Sequence, residues 1–230
     1  MATPFSIPIG AGDAVTGLHY APVSTSLETA VILGHGAGAS QTHPFMTYFA
    51  RGLAARGLDS ATFNFLYMDQ GRRAPDSALK LEACYRAVIE TVRARIPSAS
   101  RRLVIGGKSM GGRIATQIMA SDDAPVVNGL VLLGYPLHPP GRPDRPRAAH
   151  LPSIHAPMLV TQGSRDRFGL PDELRPVLGG CRQARLYIVE GGDHSFKITG
   201  RGTPTAEEVY DSLLQEIVEW IRGLRLQADR

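Results

Sequence analysis

The sequence predicts an α/β fold: a mostly parallel central sheet with helices on both faces. Three observations carry this. Short apolar runs alternate with helical patterns along the whole chain. Those runs are apolar at nearly every position, as strands buried on both faces require. A serine inside a glycine cluster, at residues 106–112, separates one such run from the helical pattern after it.

Each element follows in order. Residues 5–22 are the least regular and fit an antiparallel hairpin at the sheet edge. TAVILG, 29–34, is β-branched, apolar and closed by glycine, so it reads as a buried strand. Residues 44–57 open with proline, close with glycine and repeat Phe45, Phe49 and Leu53 at helical spacing. SATFNFL, 60–66, is a second buried strand. Residues 76–96 place Leu81, Cys84, Tyr85, Val88, Val92 and Ile96 on one helical face. Strands are predicted at 102–106, 126–134, 157–162 and 184–190, and a helix at 112–121. The last helix spans about 205–226, with Val209, Leu213, Ile217, Trp220 and Leu224 as its apolar stripe and Thr205 and Glu208 as a capping box.

One segment breaks the alternation. Residues 135–156 hold six prolines, three arginines and three histidines, a density that neither a helix nor a central strand tolerates. Because strands of the same pattern flank it, it reads as a loop excursion over one end of the sheet rather than a linker.

Composition narrows the function classes. A chain of 230 residues, 43% hydrophobic and 20% charged, suffices for a sizeable core, and a single domain over 1–230 is expected. The net charge of +4 is dispersed, which argues against a nucleic-acid partner. Cys84 and Cys181 have no metal-ligand spacing, so no metal is expected, and Cys84 should be a buried free thiol. The absence of a disulfide framework fits a reducing cytoplasm. The N-terminal residues carry no signal-peptide pattern, and no apolar run is long enough to cross a bilayer, so no membrane partner is expected. No sequence feature reports on oligomeric state.

Gly107-Lys108-Ser109-Met110-Gly111 has the form G-x-S-x-G. In a strand-to-helix turn this pattern lifts a serine hydroxyl above the sheet, and the glycines clear the crowded positions around it. A serine hydroxyl needs a base, and the base needs an orienting acid. Asp166 falls just past the 157–162 strand and His194 just past the 184–190 strand, giving the order nucleophile, acid, histidine. Asp193 competes with Asp166 for the acid role. The other histidines either lie in loops that do not follow the last strand or, for His19, in the irregular N-terminal part.

Gly34-His35-Gly36-Ala37-Gly38 follows the first central strand and suits an oxyanion-binding loop. Its donor would be the N–H of Ala37, with Gly36 as the neighbouring alternative, and the second donor would be the N–H of Met110. His35 would brace that loop. A phosphate-binding reading of the glycines fails, because no Gly-Lys-Ser/Thr follows and no suitably spaced acid is present. No cofactor is called for. Lys108, Arg72, Arg73, Arg165 and Arg167 offer a basic rim, for which solvated surface charge is the simpler reading. Tyr67, Tyr135 and Phe168 are candidate pocket walls.

These elements together resemble the α/β-hydrolase superfamily, and their compact spacing resembles its dienelactone-hydrolase-like branch. GHGAG, NFLYMDQGRRAPD, GGKSMGG, LLGYPLHPPGRP, QGSRDRFG and GGDHSF more closely resemble a hydrolase-like family that includes a testis-expressed protein and a subunit of a chromatin acetyltransferase complex. The resemblance implies catalytic roles for Ser109, Asp166 and His194 but no substrate; a small-molecule ester or related acyl substrate is expected from the serine chemistry itself. It also implies that the Pro-rich segment replaces a larger helical cap, leaving an open or shallow site. Dienelactone hydrolases proper use a cysteine nucleophile, so their substrate does not carry over. A serine peptidase or amidase and a non-catalytic scaffold are the alternatives.

Overall fold

The computed structural model describes residues 1–10 and 12–224. Its strands are β1 (Thr3–Gly10), β2 (Asp13–Tyr20), β3 (Ala30–Gly34), β4 (Asp59–Phe63), β5 (Leu103–Lys108), β6 (Gly129–Leu133), β7 (Met158–Gly163) and β8 (Ala184–Val189). They form one sheet in the order β1-β2-β4-β3-β5-β6-β7-β8. Strands β3 to β8 run parallel, while the β1–β2 hairpin is antiparallel and joins β4 antiparallel at one edge. The helices are α1 (Pro44–Ala55), α2 (Leu66–Asp69), α3 (Ala78–Arg95), α4 (Ser98–Arg101), α5 (Met110–Met119), α6 (Pro171–Gly179) and α7 (Ala206–Arg222). This is the α/β-hydrolase fold that the sequence predicts, and among the described residues it carries no helical cap domain.

The apolar strands serve two cores. Ile32, Ile105, Leu130, Leu132 and Val160 face α3, α5 and α6, while Val31, Leu33, Val104, Val131 and Leu159 face α1 and α7. Side chains alternate across a strand, so a run buried on both faces must be apolar at every position.

Boundaries shift where side chains compete with the backbone. The strand predicted over 60–66 stops at Phe63. The Asn64 side chain accepts the Gln41 N–H (2.8 Å) and donates to Asp69 (2.7 Å), and Leu66 already begins α2. The strand predicted to end at 106 runs on to Lys108, because Gly106 and Gly107 keep pairing with Val131 and Leu132. The next helix then starts at Met110 rather than Gly112. The strand predicted from 126 starts at Gly129. The last helix ends at Arg222, capped by Gly223, and the predicted positions 225 and 226 lie outside the described residues. Its capping box forms as the sequence implies: Thr205 Oγ1 accepts the Glu208 N–H (3.2 Å) and Glu208 accepts the Thr205 N–H (2.7 Å).

Residues 135–156 contain no strand and a single 3-10 turn, Leu151–Ser153. Cys84 is buried with a free thiol, and burial pushes its pKa up to about 12. Among the described residues no helix is long and apolar enough to cross a membrane.

Candidate active site

Three strand ends build the site. Ser109 stands between β5 and α5 with φ 50° and ψ −112°, a backbone conformation costly for any residue with a Cβ. Close packing holds it there. A Cβ on Gly107 or on Gly111 would overlap the Gly34 carbonyl, so β5, β3 and the start of α5 meet with no room for side chains. The Ser109 N–H also donates to the Leu133 carbonyl (3.1 Å), tying the turn to β6.

His194 Nε2 lies 2.9 Å from Ser109 Oγ, and His194 Nδ1 lies 2.7 Å from Asp166 Oδ2. Asp166 is fully buried; its Oδ2 also accepts from Gln162 Nε2 (2.9 Å) and its Oδ1 from the Phe168 N–H (2.8 Å). Gln162 Oε1 in turn accepts the Tyr135 N–H (2.8 Å), which fixes the amide with its nitrogen toward the acid. The loops carrying Asp166 and His194 pack directly together: the Arg165 N–H donates to the Gly192 carbonyl (2.8 Å), and a side chain on Gly163 would collide with that carbonyl. Phe168 lies over the His194 ring, 4.2 Å between centroids. Asp193 points elsewhere, its Oδ1 accepting the N–H groups of Ser195 (2.8 Å) and Lys197 (2.9 Å).

The structure also groups a histidine, an aspartate and a serine at β2, β4 and α4. His19 lies 2.7 Å from Asp59 and Ser98 Oγ 2.6 Å, but both bind the carboxylate, so the Ser98 hydroxyl is a donor to Asp59. Burial raises the Asp59 pKa, and the bonds to His19 and Ser98 outweigh it and leave the pKa lowered. This is a structural tie between elements.

Lys108 departs from its expected place on a basic rim. It is buried; its Nζ donates to the His194 carbonyl (2.6 Å) and sits 5.7 Å from the ring centres of both Phe45 and Phe196. Burial lowers its pKa to about 8, against the attraction of Asp166 and Asp193. Arg72, Arg73, Arg165 and Arg167 are exposed, as solvated surface charge would be. Tyr67 and Tyr135 are not pocket walls: both are buried in the core on the α3 and α5 side, because that face needs large side chains. Phe168 does line the cavity.

A cavity of about 730 Å³, within the usual range for small-molecule sites, opens over Ser109 and His194. Ala37 and Met110 line it too. Met110 is the first residue of α5, so its N–H has no acceptor within the helix. In the 34–38 loop the Gly36 carbonyl accepts from His35 Nδ1 (2.8 Å) and from the Ala39 N–H (3.2 Å). His35 Nε2 accepts the Phe65 N–H (3.2 Å), which requires the neutral ring with its proton on Nδ1. Among the described residues no group of three or more His, Cys, Asp or Glu side chains is arranged to hold a metal ion.

Burial lowers the His35 pKa from 6.5 to about 4, opposed by the Gly36 carbonyl and Asp69. A folded-state pKa below the unfolded one gives stability that is present above about 6.5 and lost as pH falls toward about 4. The loss amounts to on the order of 3 kcal/mol. His35→Ala should therefore destabilise the protein by about 1–3 kcal/mol at pH 7, where it orphans the Phe65 N–H. It should also flatten the fall in stability between pH 6.5 and 4. Urea unfolding of both proteins across that range measures both effects.

An alpha/beta hydrolase domain model matches residues 27–222. Solved structures similar to this chain include an α/β serine hydrolase without lid from Xanthomonas campestris, 21% identical, covering 95% of this chain and 94% of that one with a TM-score of 0.73. A dienelactone hydrolase from Anabaena variabilis is also 21% identical, covering 98% and 99%, with a TM-score of 0.73. Est1E from Butyrivibrio proteoclasticus with ferulic acid bound is 12% identical, covering 94% and 98%, with a TM-score of 0.74.

Proposed function

The chain belongs to the α/β-hydrolase family, and from that premise we propose that it is a serine hydrolase that cleaves esters through a covalent acyl-enzyme. The observation that carries this reading is the relay from Asp166 through His194 to Ser109, with bonds of 2.7 and 2.9 Å at the mouth of a ligand-sized cavity. Ser109 Oγ attacks the ester carbonyl as His194 Nε2 takes its proton. The tetrahedral intermediate collapses as His194 returns the proton to the leaving alcohol. Water then repeats the sequence on the acyl-enzyme and releases the acid. Asp166 holds the proton on Nδ1 and stabilises the imidazolium.

The N–H groups of Ala37 and Met110 bind the oxyanion in this reading. In a trans peptide the C=O and N–H point opposite ways. His35 and Ala39 draw the Gly36 carbonyl to one side, which favours the Ala37 N–H over that of Gly36 as the donor facing the cavity. A small-molecule ester and a cytoplasmic location, consistent with the free thiols, belong to the same proposal. So does the narrower kinship, read from the motifs, with the testis-expressed and chromatin-complex relatives.

The test is labelling of the wild-type protein by a fluorophosphonate probe, together with hydrolysis of p-nitrophenyl esters of rising chain length. Labelling at Ser109 and turnover are expected. No label and no turnover would leave the scaffold reading, and faster cleavage of matched amides than esters would favour the amidase.

Lys108 is a positioning residue in this scheme, since it grips the main chain of His194. Lys108→Met should lower kcat by about 10- to 100-fold, the scale of a small misplacement of a catalytic group. KM should move much less, and Lys108→Arg should recover part of the loss. Equal changes in kcat and thermal midpoint for all three proteins would reduce the residue to a packing role.

A further inference from the structure

We infer that the cavity takes esters bearing a second, anionic group, a carboxylate held by Arg113 and Arg147; this rests on the esterase reading. Both arginines line the cavity that holds Ser109 and His194. Arg113 stands on α5 four residues after Ser109, a spacing that puts it on the serine's side of the helix. Arg147 comes from the Pro-rich segment. Its main chain is anchored at both ends, the N–H donating to the Leu137 carbonyl (2.7 Å) and the carbonyl accepting from Tyr135 Oη (2.7 Å). A mobile loop would not hold a guanidinium at a fixed place; this one is tied to the core.

Neither charge has a close ionic partner. Among the described residues no carboxylate lies within ion-pair distance of either guanidinium, and the one bond from the Arg113 guanidinium goes to the neutral amide of Gln117 (3.2 Å). The cavity's own buried acid, Asp76, is already paired with Arg72 at 2.7 Å. Burial lowers the Arg113 pKa and repulsion from Arg147 lowers it further, against smaller attractions from Tyr135 and Glu82, so the guanidiniums are near enough to feel one another. Arg113 likewise depresses His150, after burial. Arg113 is half-buried and Arg147 exposed, and like charges facing one cavity repel each other until an anion joins them. The planar guanidinium fork matches the two oxygens of a carboxylate.

The test uses monomethyl succinate, glutarate and adipate beside methyl butyrate, pentanoate and hexanoate, followed by pH-stat titration. The wild type should favour the anionic ester at one chain length by about tenfold or more in kcat/KM. Added salt should shrink that ratio. Arg113→Gln and Arg147→Gln should each bring the ratio down toward one. A wild-type ratio at or below one at every length, or a ratio unmoved by both variants, would overturn the inference and leave the esterase reading standing. Calorimetry on Ser109→Ala protein separates the two ideas without turnover. Tighter binding of monomethyl adipate than methyl hexanoate, lost with Arg113→Gln, supports the cationic site even if no ester is cleaved. Equal binding counts against the site.

Discussion

Ser109→Ala is expected to lower kcat for p-nitrophenyl esters by roughly 10^4- to 10^6-fold, with KM nearly unchanged and fluorophosphonate labelling abolished. The size of the effect follows from what the serine does: without Oγ no acyl-enzyme forms, and only binding and the oxyanion donors remain to assist water. The fold should survive, because alanine keeps the Cβ that the turn at φ 50° already accommodates, and the clearance there comes from Gly107 and Gly111. Circular dichroism and a thermal midpoint close to the wild type would establish that. His194→Ala alone should cost about as much, and the double variant little more than either single one. Residues acting as one unit lose their joint contribution once. Full esterase activity in the Ser109→Ala protein would remove the mechanism. Fully additive losses in the double variant would show that serine and histidine act separately.

How much of this was legible before the fold was known depends on what each residue is constrained by. The parallel strands were readable because burial on both faces permits only apolar side chains at every position, as in Val31, Ile32 and Leu33. The elbow was readable because its glycines are forced by backbone contact with Gly34. Asp166 and His194 were placed by chain order after two strands. Charge alone puts Lys108 in water, on a rim or as plain surface charge, whereas the fold buries it. Its signal was the strand period: Val104 faces α1 and α7, and two steps of two along β5 bring Lys108 to that same face. Arg113 had a helical signal, four residues from Ser109. Arg147 had none, because its position follows from how a proline-rich loop folds back onto Leu137 and Tyr135. Tyr67 and Tyr135 looked like pocket aromatics because periodicity cannot tell a wall from a core. α6 carries Pro176 inside it, and its apolar spacing is sparse.

Asp166→Asn is expected to lower kcat by about 10^4-fold while leaving KM almost untouched. The substitution is nearly isosteric, so its effect isolates proton placement and charge. His194 Nε2 is free to accept from Ser109 only while the proton sits on Nδ1, and Asp166 Oδ2 is what accepts that proton at 2.7 Å. An asparagine has two ways to fit. With its oxygen toward the Phe168 N–H, its amide nitrogen faces Nδ1 and the Gln162 amide; the imidazole must then accept at Nδ1, and Ser109 loses its base. With the amide turned round, the tautomer survives, but an N–H is driven against the Phe168 N–H. Either way the negative charge that offsets the imidazolium is gone. KM should hold because the carboxylate is fully buried beneath the histidine, away from the cavity wall. Asp193→Asn is the matched control. Its Oδ1 serves the Ser195 and Lys197 N–H groups, bonds that an amide oxygen can keep, so its loss should be far smaller. Equal losses in the two variants would transfer the orienting role to Asp193 and break the assignment of Asp166.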